Sequence, residues 1–68
     1  MEPSWNEITI EYDGKIINGA YRRTGNRFGK IILVRSARGV IKEAPLSGLT
    51  PLYLAKMLLR ELEREGRT

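Results

Sequence analysis

Eight basic side chains lie between residues 15 and 42 with no carboxylate among them: Lys15, Arg22, Arg23, Arg27, Lys30, Arg35, Arg38 and Lys42. The chemistry open to such a run is anion binding. A guanidinium is a planar fork of N–H donors that meets two phosphate oxygens at once, and five of these eight residues are arginines. Arg22, Arg23, Arg27 and Lys30 flank one expected loop, and Arg35, Arg38 and Lys42 flank the next turn. Phe28 sits inside the first group, where an aromatic ring can stack on a base. The whole chain has 12 Lys+Arg and 8 Asp+Glu, a net charge of +4. Residues 1–14 hold four acids and no base, and residues 43–68 hold four of each, so the excess is concentrated in this one segment. A second account of the same charges is bland. Charged edges keep sheets from pairing with one another, and Glu7 or Glu11 on the first strand can offset Lys15 or Arg22 on the second.

Covalent and acid–base chemistry find little material. The chain has no cysteine and no histidine. That excludes disulfides, Cys- or His-ligated zinc, thiol nucleophiles and Ser-His hydrolysis. Ser4, Ser36 and Ser47 therefore have no imidazole to activate them. Glu7 and Glu11 fall on one strand face with Asp13 in the adjoining turn, but residues four apart on a strand are separated by about 13 Å, too far for two carboxylates to act on one bond. Gly25 and Gly29 lack the spacing of a phosphate loop. The sequence predicts a protein that is not an enzyme, with no cofactor and no metal.

The elements that must position these residues follow from pattern. From Glu7 to Tyr12, Ile8, Ile10 and Tyr12 alternate with Glu7, Thr9 and Glu11, the period of a half-buried strand. Asp13-Gly14 then suits a two-residue hairpin loop. That loop places Tyr12 opposite Lys15, Ile10 opposite Ile17, Ile8 opposite Gly19 and Asn6 opposite Tyr21. Ile8, Ile10, Tyr12, Ile17 and Tyr21 thus share a core face, while Ile16, Asn18, Ala20 and Arg22 join the other. Strict alternation puts Trp5 on that outer face too; its size favours wrapping round an edge of the core. A second strand over about Lys15–Arg23, a loop over Thr24–Gly29 and a third strand over about Lys30–Ser36 follow. Val40–Ala44, after the Ala37-Arg38-Gly39 turn, reads as a short fourth strand.

Thr50 as cap, Pro51 at the first helical position, and Leu49 with Leu54 as a hydrophobic staple predict a helix from Pro51 to about Glu65. Leu54, Ala55, Leu58, Leu59 and Leu62 form its apolar stripe, with Leu52 at the edge. Tyr53 and Met57 fall instead with Arg60 and Arg64, a composition suited to a partner interface through Tyr53, Met57 and Arg60. The expected architecture is α+β: a two-layer domain over 5–66, with a three- to four-stranded antiparallel meander sheet packed on one C-terminal helix, and flexible ends at 1–4 and 67–68. The longest apolar run, Ile31–Val34, is far short of the roughly 20 residues of a membrane span, and Met1-Glu2-Pro3-Ser4 is unlike a signal peptide. A cytoplasmic location is expected.

Trp5, Tyr12-Asp13-Gly14, Gly19-Ala20-Tyr21, Leu46-Ser47-Gly48, Pro51 and the run Leu54-Ala55-Lys56-Met57-Leu58-Leu59-Arg60-Glu61-Leu62 together resemble a group of short bacterial proteins of unassigned function. These have a strand-rich first half and a Pro-initiated, Leu-rich final helix. The resemblance spans Trp5 to Leu62 and implies the fold alone. In architecture the chain is similar to the plant AP2-type DNA-binding domain and to the N-terminal domain of some integrases, which set the outer face of a three-stranded sheet in the major groove. The AP2 pattern of Trp- and Arg-rich strands is absent here.

Two functional expectations stand side by side. One is a small module that binds DNA or RNA through Arg22, Arg23, Arg27, Lys30, Arg35 and Arg38, by salt-dependent backbone contacts. The other is a protein-interaction or homodimerisation domain using the helix face or a sheet edge. No membrane partner is expected.

Overall fold

Asp13 and Gly14 both adopt positive φ, 53° and 77°, and this two-residue loop turns β1 (Asn6–Tyr12) into β2 (Lys15–Asn26). The loop sets the register: Tyr12↔Lys15, Ile10↔Ile17, Ile8↔Gly19 and Asn6↔Tyr21, as the sequence predicts. A computed structural model of the chain describes residues 5–27 and 29–66. The expected flexible ends at 1–4 and 67–68, and Phe28, lie outside the described residues.

β3 (Gly29–Ser36) and β4 (Ile41–Pro45) complete a four-stranded antiparallel sheet of order β1-β2-β3-β4. The expected loop over Thr24–Gly29 is largely strand. The ladder continues through Thr24↔Ile31 and Gly25↔Lys30 to Asn26↔Gly29, leaving only residues 27 and 28 to join β2 to β3. Gly29, at φ 132°, supplies the backbone freedom at this junction. The fourth strand forms one residue later than expected, and the amide of Leu46 donates to the carbonyl of Lys30 at 3.0 Å to extend that pairing.

The helix α1 (Pro51–Arg64) begins where predicted and ends one residue earlier. The Thr50 hydroxyl accepts from the Tyr53 amide at 3.3 Å, capping one of the free N–H groups of the first turn. Leu49, in the staple position, stays 40% exposed while Leu54 is buried. Ile8, Ile10, Ile32 and Val34 of the sheet pack against Leu54, Ala55, Leu58, Leu59 and Leu62 of the helix. Tyr12, Ile17, Tyr21, Val40, Ala44 and Leu46 close the margins of this core. Fully burying an aliphatic side chain of this kind contributes about 1.5–3 kcal/mol, which is why the Leu stripe docks on one sheet face only. The other face stays open. Among the described residues no helix is long and apolar enough to cross a membrane.

Candidate functional site

Alternation carries odd-numbered residues of β1 and β3 and even-numbered residues of β2 to the open face. Glu7, Ala20, Arg35 and Ile41 form one row across the four strands, and Arg22, Leu33 and Glu43 form another. Trp5, one step beyond the Asn6↔Tyr21 pair, comes opposite Arg22. It does not wrap an edge of the core as its size suggested. Its ring lies on the open face, 4.5 Å from the Arg35 guanidinium carbon and 5.3 Å from that of Arg22. Alternation continued back from β1 puts it there, and Ala20, the small residue between Glu7 and Arg35 in their row, is buried. Cation–π attraction at such partly exposed sites is worth about 0.5–1 kcal/mol per contact.

The six candidate cations divide into two groups. Arg22 and Arg35 meet at Trp5, and Arg38 stands in the β3–β4 turn beside them. Arg23 and Lys30 lie on the helix-side face, near Arg27 at the far end of the β2–β3 hairpin. That end extends beyond β1, whose pairing stops at Tyr21, and carries no acidic residue. Glu7 and Glu11 do not offset the neighbouring bases as expected. They face Ala20 and Ile16, and neither forms an ion pair with Arg22 or Lys15.

Lys42 leaves the basic surface altogether. Its Nζ lies 2.8 Å from Glu65 Oε2 and 3.2 Å from Glu61 Oε2, tying β4 to the last turns of α1. Hydrogen bonds from its ammonium to Glu65 and then Glu61 hold the Lys42 pKa above its ordinary value.

Arg35, Arg38, Trp5, Glu7, Asn18 and Ala37 border an open cleft of 710 Å³, with Gly19 and Ala20 in its lining. Small residues form much of that surface, the Trp5–Arg35 stack forms one side, and the β3–β4 turn forms another. Ser36 holds the turn: its buried hydroxyl accepts from the amides of Arg38 at 3.2 Å and Val40 at 3.1 Å. Sequence reasoning missed the roles of Trp5, Asn18 and Ser36. Strict alternation was the available signal for the first two.

The other candidate surface is on α1. Tyr53 and Met57 are 57% and 38% exposed, and Arg60 is exposed beside them. Leu49 and Leu52 add apolar surface near the helix start. Both sheet edges discourage self-pairing. An antiparallel copy of β1 would bring glutamates towards one another, and β4 ends in Pro45, which has no N–H to donate. Among the described residues no three carboxylates are grouped to hold a metal ion. No family model, no curated protein and no solved structure matches this chain.

Proposed function

We propose that this protein is a small non-enzymatic nucleic-acid-binding module. The observation that carries the reading is the stacking of Arg22 and Arg35 on Trp5 at the open sheet face, with no carboxylate paired to either. Arg35 is exposed, so its N–H donors are available to phosphate oxygens, whereas the Arg22 Nε is buried beside Trp5 without a hydrogen-bond partner among the described residues. Arg38 adds charge at the rim of the cleft. Arg23, Arg27 and Lys30 add it at the hairpin end, for contacts that position the chain without reading sequence. DNA and RNA are both within this reading.

The test is a titration of labelled duplex DNA and of single-stranded RNA at low and near-physiological salt. Trp5 is the only tryptophan in the chain, so its emission reports on the contact surface directly. Binding that weakens with salt yet persists at physiological ionic strength supports the reading, and its complete loss there overturns it. A second reading, association with a protein or with another copy, draws on the exposed Tyr53 and Met57. Under it, Tyr53→Ala with Met57→Ala lowers the mass of the wild-type assembly in solution. An unchanged mass removes that face as a self-association site.

A further inference from the structure

The open face is not uniformly basic. Glu7 and Glu11 lie on β1, Arg22 and Arg35 lie on the two central strands, and Glu43 lies on β4. Positive charge therefore forms a central strip with carboxylates on either side. Three strand spacings separate β1 from β4, about 14 Å. The major groove of a duplex is about 12 Å wide, walled by its two phosphate rows. A duplex seated on this face would bring its two rows close to the glutamates of the edge strands. A single backbone laid along the central strip meets arginines and avoids them.

Arg35 is exposed, its guanidinium carbon lies over the Trp5 ring at 4.5 Å, and it lines the cleft. A guanidinium is a platform on which an unpaired base stacks. Ala20, Ala37 and Gly39 leave room for such a ring, and the exposed Asn18 offers both a donor and an acceptor to a base edge. The Glu7 carboxylate at the β1 side turns phosphate away from itself and towards the strip and the turn that carries Arg38.

We propose that the cleft between the Trp5–Arg35 stack and the β3–β4 turn holds one unpaired nucleobase, so that the protein takes single-stranded nucleic acid in preference to duplex. This rests on the nucleic-acid reading above and gives it a substrate class. Counterion release favours the duplex, whereas the flanking glutamates favour the single strand, so a preference by itself does not separate base from backbone. Arg35→Lys and Ala37→Leu keep the charge layout, and loss of the preference in them reports the base.

The experiment titrates the full chain with a short single-stranded oligonucleotide and with the same sequence as a duplex, at matched salt, following Trp5 emission. The single strand is expected to bind about tenfold more tightly and to quench Trp5, the size of effect one stacked base supplies. Arg35→Lys keeps the charge and removes the plane; it should erase that preference while leaving duplex binding in place. Ala37→Leu is a second variant, at an exposed position, that fills the cleft without altering charge and should do the same. Equal or tighter duplex binding by the wild type overturns the base site and leaves the broader reading standing. A preference that survives both substitutions also overturns it. Failure to bind either probe at any salt overturns both.

Discussion

Gly19 and Leu59 meet at a distance that only a hydrogen side chain permits: a β-carbon on Gly19 would stand 2.9 Å from Leu59 Cδ1. The same β-carbon would lie 2.9 Å from the Arg35 carbonyl oxygen, a backbone atom that cannot swing away. Gly19 is opposite Ile8 on the core face, where Leu59 of α1 packs directly over its backbone. Gly19→Ala should destabilise the fold by about 1–3 kcal/mol, the usual cost of overpacking. Urea unfolding checks it: the midpoint should fall while the slope stays near the wild-type value.

Lys42 joins β4 to the helix through Glu65 and Glu61, and its raised pKa gives that tie a pH signature. The folded pKa lies above the unfolded one, so the contribution is complete below the unfolded value, near 10.5, and disappears as pH rises through the folded value. Lys42→Met should lower the thermal midpoint at neutral pH. The difference from wild type should shrink in concentrated salt and vanish at strongly alkaline pH. A difference that is independent of both would mean that packing, not charge, is what Lys42 supplies.

Ser36→Ala removes the acceptor that the amides of Arg38 and Val40 share in a buried position. A loss of about 1–3 kcal/mol is expected from stranding such donors. Because this turn carries Arg38 and one side of the cleft, nucleic-acid affinity should fall by more than unfolding alone accounts for, measured at a temperature where the variant is fully folded. Wild-type affinity in a folded, destabilised variant would detach the turn from the binding surface.

Arg23, Arg27 and Lys30 at the hairpin end can be separated from the cleft by their salt dependence. Replacing all three by Ala should weaken single-strand and duplex binding alike. The slope of log affinity against log salt should fall by about 2–3, one counterion release per lost contact. The single-strand preference should remain. An unchanged slope would show that these residues touch no phosphate.

Much of the fold was legible in the chain because it rests on local rules. Asp13-Gly14 dictated a hairpin loop, and the loop dictated every pair from Asn6↔Tyr21 to Tyr12↔Lys15. The five-residue stripe from Leu54 to Leu62 named the buried face of α1, and Thr50-Pro51 named its start. The far end of β2 was hidden because Gly25-Asn26 carries a turn composition, while the actual junction is two residues further on and uses Gly29. Without that junction the register of β2 against β3 could not be read, and neither could the position of Arg35 beside Ala20.

Which charges are present, and that they crowd into one segment, the sequence by itself determined. Which of them act together, only the tertiary structure decided. Trp5 precedes β1 and Arg35 lies on β3, and they meet across β2, where Arg35 is flanked by the small, buried Ala20. Lys42 leaves the basic set because Glu65, the C-cap of α1 and 23 residues away in sequence, accepts a hydrogen bond from it. Contacts of this kind depend on how twisted strands and a docked helix stack in space, and periodicity along one strand carries no information about the strand beyond its neighbour.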